Sequence, residues 1–402
     1  MRARSFVLGL LTAAGLVNSA AASNRITVAG NDVLIDNQPF LVNGVIFDIS
    51  APVSMLKSYF NNTSSTNAYV NGRIQAYDYF FGLNDPSQGV NYSTGNDAIS
   101  IMSASWGPAS PQKTPLGINT LRFNLDQAAL ISSSPTYSGY VSEVKQAVAR
   151  AEAAGYVVDL ALFDERNGNA PYTPFWTENP ETPLDNATTE GAALTLTSLF
   201  GTDQNVIIEL LNEPFPAGQP AQSWTWWANG GTQTYPQSQW YNDVFVGVNN
   251  EIAAMRAAGS VNAIIVQGLS ESFSGFQNNI VDPLNRVIYS VHPFFNSTAP
   301  TVPNWNAAFG NLAATLPVVI TAWNSPPSQP WCTGATYDAP YTFLNYLNAL
   351  GVGVVGYGFD VPATIVRTLN GNPTTWPASC GQPGGPGQIM QSYYSTGVVP
   401  LP

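Results

Sequence analysis

The sequence predicts a (β/α)8 barrel, a TIM barrel of the α/β class, and three observations carry that prediction. The chain has 402 residues, enough for one large barrel or two ordinary domains. Short apolar runs alternate with longer amphipathic stretches, the pattern of buried parallel strands and covering helices. Eight such units in about 380 residues fit a barrel with long insertions.

The first residues read as an address. Arg2 and Arg4 precede an apolar stretch from Phe6 to Val17 that is too short to span a bilayer and ends at Ala20-Ala21-Ala22. Residues 1–22 are therefore expected to be a secretory signal peptide, and 23–402 a single barrel domain. No later run has the length of a membrane helix, so a secreted protein without a membrane partner is expected. A small hairpin, Ile26 to Val28 with Val33 to Ile35, precedes the barrel and is placed to plug its floor.

Strands are expected at Val42 to Phe47, Thr120 to Asn124, Tyr156 to Leu162, Val206 to Leu211, Ala263 to Gln267, Val287 to Val291, Val318 to Thr321 and Val354 to Phe359. The clearest helices run from Ser142 to Ala154, stopped by Gly155, and from Trp240 to Ala258, where Trp240, Val244, Val248, Ile252 and Met255 recur at helical spacing. About 70 residues, from Ser50 to Gly117, separate the first two strands, far beyond the usual loop. That insertion is rich in tyrosine and phenylalanine and is expected to pack over the top of the barrel as a wall or lid. The Pro- and Gly-rich tail after Phe359 reads as an ordered wrap.

Composition removes several classes of function. Only 9% of residues are charged, against roughly 25% in an average domain. A formal net charge of −12 argues against nucleic acid as a partner. One histidine, His292, and two cysteines, Cys332 and Cys380, cannot build a His-rich or Cys-rich zinc site; only an oxygen-ligand ion site stays open, and no metal or cofactor is expected. In an exported protein the two cysteines are expected to form a disulfide, closing a loop of about 50 residues worth roughly 4 kcal/mol.

In such barrels the chemistry sits on the loops after the strands. After the fourth strand comes Leu210-Leu211-Asn212-Glu213-Pro214, an acid one residue beyond an asparagine. A shielded Glu213 can keep its proton and protonate a glycosidic oxygen, while Asn212 holds a sugar hydroxyl. At the end of a strand with two leucines before it, this pattern is fairly specific.

From Val42 to Asp360 the chain resembles glycoside hydrolase family 5, the cellulase-like retaining β-glycosidases. The resemblance rests on Leu211-Asn212-Glu213-Pro214, on Gly117-Ile118-Asn119-Thr120-Leu121-Arg122 and on Val287-Ile288-Tyr289-Ser290-Val291-His292-Pro293-Phe294. The seventh-strand segment is Pro317-Val318-Val319-Ile320-Thr321-Ala322-Trp323-Asn324. The resemblance implies Glu213 as acid/base, Asn212 as the contact to a 2-hydroxyl, and Arg122 and His292 as groups that order the site and substrate. In the eighth strand Tyr357 or Phe359 stands where the family has a tryptophan, and these residues and Trp323 are expected to contact the sugar.

The chain also departs from the family. Ala322 stands where the nucleophilic glutamate belongs, Ala161 replaces a third-strand histidine, and Phe294 replaces a tyrosine. A replacement carboxylate would have to come from Asp360, Glu271, Asp164 or Glu165. Two outcomes stay open: a remodelled hydrolase, or a sugar-binding pseudo-glycosidase. A serine hydrolase built on Ser270 is poorly supported, because the elbow motif is incomplete. Trp106, Trp176, Trp224, Trp226, Trp227, Trp323, Trp331 and Trp376 fall in segments assigned to the catalytic face, where flat rings can stack on pyranoses. The expected partner is a neutral β-glycan, a β-glucan or mannan, bound by a monomer.

Overall fold

Parallel strands leave both faces to be covered, and the sequence supplies apolar residues for each. In a computed structural model, residues 25–49, 78–80, 97–107, 117–134, 136–163, 187–214, 223–234, 242–269, 272–276, 280–293, 300–325, 338–381, 384–397 and 399 are described. The expected signal peptide lies outside them. Thirteen strands are numbered in chain order. The hairpin strands β1 (Ile26–Ala29), β2 (Asp32–Ile35) and β3 (Gln38–Pro39) come first. The barrel is built from β4 (Gly44–Asp48), β5 (Thr120–Asp126), β6 (Val157–Phe163), β7 (Val206–Glu209), β10 (Ala263–Gln267), β11 (Val287–Val291), β12 (Val318–Trp323) and β13 (Gly353–Gly356). These eight close in chain order, β13 pairing back onto β4, with parallel registers throughout.

Alternation along the strands sorts the apolar residues into two groups. Val45, Phe47, Leu121, Phe123, Val158, Leu160, Ile208 and Ile264 face outward into a core shared with the helices. Ile46, Val157, Ile207, Ala263, Ile265, Ile288, Val319 and Val355 face inward and pack with Ile26, Val33, Ile35 and Phe40 of the N-terminal hairpin. The hairpin plugs the floor, as expected.

Among the covering helices, α1 (Ala98–Trp106) and α2 (Tyr137–Ala153) come first. Helix α2 buries Tyr140, Val144, Ala147, Val148 and Ala151, one stripe at helical spacing, and Gly155 beyond its end has φ 91°. The Tyr140 hydroxyl accepts from the Asp126 amide and donates to the Ile49 carbonyl, tying the helix to two strand ends. Then follow α3 (Ala187–Phe200), α4 (Ser223–Asn229), α5 (Val248–Ala257), α6 (Ala339–Leu350) and α7 (Pro386–Thr396).

Two expectations fail in the described residues. The helix expected from Trp240 begins only at Val248, and the preceding segment is β9 (Asn242–Phe245), paired antiparallel with β8 (Gly231–Thr234). Val244 is 66% exposed, so the supposed apolar face does not exist there. Gly230 and Gly247, with φ of 78° and 83°, close this hairpin against each other. The insertion after β4 also behaves differently from a lid where it is described. Tyr79 and Phe80 pack on Phe47, Phe123 and Phe359, and Trp106 of α1 donates its indole N–H to the Gly371 carbonyl at 2.8 Å. Because Phe47 and Phe123 face outward, the described part of the insertion, helix Ala98–Trp106 included, covers the outer wall of the barrel.

A Cβ at residue 247 would lie 2.1 Å from the Gly230 amide nitrogen. Gly247→Ala is therefore expected to lower stability by about 3 kcal/mol, through left-handed strain plus a backbone clash. A urea midpoint equal to wild type would show that the two turns are not closely packed.

Candidate active site

Near the mouth, the inward positions change from apolar to polar within one step of the alternation. Val157 is followed by Asp159, Ile207 by Glu209, Ile265 by Gln267, Ile288 by Ser290 and Val319 by Thr321, all buried. With Arg122 and Asn124 of β5 these side chains form one layer above the floor.

Arg122 is the centre of that layer. Its Nε donates to Glu209 Oε2 at 2.7 Å, Nη1 to Asn124 Oδ1 at 2.7 Å and Nη2 to Asn212 Oδ1 at 2.8 Å. Asp159 Oδ2 lies 3.7 Å from the same Nε. The planar guanidinium thereby spans β5, β7 and the loop after β7 in one plane. Burial pushes the Glu209 carboxyl up, but the Arg122 charge and hydrogen bond outweigh it, aided by His292 and Gln267, and hold Glu209 below its ordinary range. Asp159 moves the other way: burial first, then the Glu209 charge, push it well above the carboxylate range against the pull of Arg122. The layer holds one ion pair, beside an Asp159 carboxyl pushed toward its protonated form.

Glu213 stands on the rim of this base. Its φ of 51° lies in the left-handed region, which costs a residue with a side chain roughly 1–3 kcal/mol. The Glu213 amide donates to Gln267 Oε1 at 2.8 Å, which holds the unusual backbone in place. Its Oε1 lies 2.7 Å from His292 Nδ1, and the side chain is 33% exposed whereas the His292 ring is 1% exposed. Burial pushes the Glu213 carboxyl up, yet the hydrogen bond and charge of His292, with help from Arg122, hold it below its ordinary range. As the site stands, Glu213 is a carboxylate.

The seventh barrel strand contributes no acid. Ile320 pairs with Val354 and Trp323 with Gly356, three steps against two, so a bulge falls at Thr321 and Ala322. Both residues face inward in consequence: Thr321 donates to Glu209 Oε1 at 2.9 Å, and Ala322 packs in the inner cluster with Val355 and half-buried Tyr357. The bulge turns position 322 inward, where a buried methyl group occupies it.

Sequence-expected site residues separate into three sets. Arg122, Asn212, Glu213 and His292 come together, although Arg122 is buried and fully engaged, so it positions neighbours and does not touch substrate. Trp323 and Phe359 do not line the cleft, which corrects the expectation drawn for them. Past the bulge Trp323 turns outward and stacks on Phe343 of α6 at 5.5 Å, while Phe359 packs with Phe47, Tyr79 and Trp106 on the wall. Trp106, Trp227 and Trp376 are likewise buried, and Trp224 packs among Trp227, Phe273 and Phe276, so these rings serve packing. Asp360 is 3% exposed, and its Oδ2 accepts the Asp48 amide at 2.6 Å, clamping the eighth strand's end to the first. Glu271, Asp164, Glu165, Trp176, Trp331 and Phe294 lie outside the described residues. Cys380 is buried and disulfide-bonded; Cys332, its expected partner, also lies outside them.

Glu209, Gln267, Thr321, Asn124 and Asp159 were not singled out from the sequence. The available signal was a polar residue two places after an apolar one on the same face of a strand, as in Val157 and Asp159, Ile207 and Glu209, or Ile265 and Gln267.

The family model Cellulase (glycosyl hydrolase family 5) matches residues 86–360. Among solved structures, the β-glucanase SdGluc5_26A from Saccharophagus degradans in complex with cellotetraose aligns with a TM-score of 0.57 at 17% identity, over 92% of this chain and 93% of that one. A thermostable, halotolerant GH5 cellulase from an Icelandic hot spring isolate aligns with a TM-score of 0.53 at 15% identity, over 94% and 95%. The catalytic domain of Thermobifida fusca endoglucanase Cel5A aligns with a TM-score of 0.52 at 14% identity, over 93% and 98%. No curated protein matches the chain.

Asp159 gives a test of the buried charge layer. A carboxyl raised in the folded state contributes stability that is present below the unfolded carboxylate range and lost as pH rises through the folded value. Asparagine cannot ionise, so Asp159→Asn should gain on wild type between about pH 4 and pH 7, by on the order of 1 kcal/mol or more. Urea midpoints that differ by the same amount at both pH values would contradict the neutral-acid assignment.

Proposed function

The chain belongs to glycosyl hydrolase family 5, the cellulase family, and on that premise we propose that it is an exported glycoside hydrolase acting on a neutral β-glycan, with Glu213 as the proton-handling carboxylate. The observation that carries the reading is the strained, rim-exposed Glu213, fixed by Gln267 and His292 above the Arg122–Glu209 pair. Strain of this kind survives only where the surroundings enforce it, and it concentrates at functional residues. A β-glucan is the favoured substrate, because two aligned neighbours are a β-glucanase and an endoglucanase and the first was solved with cellotetraose. The low charge of the chain suits an uncharged polysaccharide.

The usual retaining route needs two carboxylates about 5–5.5 Å apart, one as nucleophile and one as acid/base. Ala322 removes the first from the seventh strand. Its absence also takes away the negative charge that would raise Glu213, which fits a Glu213 lying below its ordinary range. Cleavage that draws a proton from Glu213 must therefore strengthen as pH falls. Asp360 could act as nucleophile only after giving up the Asp48 amide, so attack by water is the more accessible route. Ala322 also favours a second reading, binding of the same glycan without turnover.

Reducing-sugar release from a panel of β-glucans and mannans separates these readings. The first reading expects release that grows toward acidic pH and falls about 100- to 10,000-fold in Glu213→Gln. With no release at any pH, a raised melting temperature in soluble glycan that survives Glu213→Gln selects the binding reading. Neither release nor a shift with any glucan or mannan would remove a glycan as the ligand.

Ala322→Glu tests the electrostatics. A carboxylate at the bulge should add the missing nucleophile, give product of retained configuration, and move the acid limb of the pH profile upward through repulsion between like charges. An Ala322→Glu variant that folds yet changes neither rate nor profile would show that position 322 does not face the anomeric carbon.

A further inference from the structure

His292 lies between two carboxylates, one reached directly and the other through a hydroxyl. Nδ1 is 2.7 Å from Glu213 Oε1, and Nε2 is 2.9 Å from Thr321 Oγ1. Thr321 Oγ1 is in turn 2.9 Å from Glu209 Oε1 and hydrogen-bonded to the Ser290 hydroxyl. Gln267 approaches the same nitrogen, its Nε2 3.2 Å from His292 Nε2, while also donating to Glu209 Oε1.

A count of protons decides the pattern. An ionised carboxylate only accepts, and threonine has one proton to give. Glu209 is ionised against Arg122, so the Thr321 proton goes to Glu209 and the Thr321 oxygen is left with lone pairs. At 2.9 Å a lone pair on His292 Nε2 would face one on Thr321; a proton on Nε2 turns that repulsion into a hydrogen bond, in place of the alternative in which Gln267 Nε2, 3.2 Å away, donates to a bare Nε2. By the same rule Nδ1 carries hydrogen toward Glu213. Gln267 accepts the Glu213 amide through Oε1, which fixes its NH2 end toward Glu209 and leaves its second proton for Asn212 Oδ1 at 3.5 Å. The charges then pair, Arg122 with Glu209 and His292 with Glu213.

We propose that Thr321 is a positioning residue that holds His292 as a doubly protonated ring, Nδ1–H aimed at Glu213 and Nε2–H at the Thr321 oxygen. The bulge in β12 is what turns this hydroxyl inward beside Ala322. The consequence for chemistry rests on the proposed role of Glu213: the cationic ring holds that carboxylate in place of the missing strand-seven charge network. The hydrogen-bond pattern itself does not depend on turnover.

His292 is the sole histidine in the chain, so its ring nitrogens can be read without assignment in a long-range proton–nitrogen correlation on the full, nitrogen-15-labelled protein. At neutral pH the wild type is expected to show both ring nitrogens at protonated-ring shifts. One bare nitrogen would overturn the proposal. Thr321→Ser, which keeps the oxygen, should preserve that signature, whereas Thr321→Val should lose the proton on Nε2 and leave the Nδ1–H tautomer. An unchanged spectrum in Thr321→Val would also overturn it. If the valine variant does not fold, a bare Nε2 in the serine variant contradicts the proposal as decisively. The spectra are recorded without substrate, so a chain that cleaves no glycan can still bear the proposal out, and an active hydrolase can still refute it.

Discussion

The guanidinium of Arg122, buried in the barrel mouth, is the constraint from which the site follows. A buried cation needs a paired anion and acceptors for its remaining donors, or the desolvation cost of several kcal/mol stands uncompensated. Glu209, Asn124 and Asn212 supply them, and each is thereby fixed in position. Glu209 then recruits Gln267 and Thr321, and these two hold the Glu213 backbone and the His292 ring. Glu213 is exposed at the end of a chain of buried bonds, the arrangement by which a rim carboxylate is aimed without occupying the cleft with its own support.

The same layer bears on the proposed replacement of a nucleophilic glutamate by Ala322. A site with glutamate at position 322 would place a third ionised carboxylate beside Glu209 and Glu213. With alanine there, the layer carries no further carboxylate, and Glu209 remains paired with Arg122. Ala322 therefore leaves a stable mouth, and what it removes is the repulsion that keeps an acid/base glutamate protonated near neutrality. Stability and chemistry part company at this single position.

Much of this was legible in the sequence, and the reasons for the rest are physical. The eight barrel strands, the floor hairpin and the grouping of Arg122, Asn212, Glu213 and His292 follow from period-two alternation and strand-end motifs, which depend on local order. The outward turn of Trp323 does not, because it depends on a bulge that the period of β12 hides. Phe359 and Trp106 read as sugar platforms since flat rings look alike whether they stack on a ligand or fill the barrel wall. The helix expected from Trp240 failed where Gly247, a turn glycine packed on Gly230, interrupts a run whose spacing alone is helical. Glu209 escaped notice because a lone acid closing an apolar strand carries no motif until its partner Arg122, on another strand, is known.

A crystal structure with a bound β-gluco-oligosaccharide tests the central claim most directly. The account predicts a glycosidic oxygen within hydrogen-bond reach of Glu213, and the anomeric carbon facing the Ala322 methyl with no side-chain oxygen of the seventh strand against it. An oligosaccharide seated away from Glu213, or one whose anomeric carbon meets Asp360 while Ala322 lies outside the cleft, would contradict it.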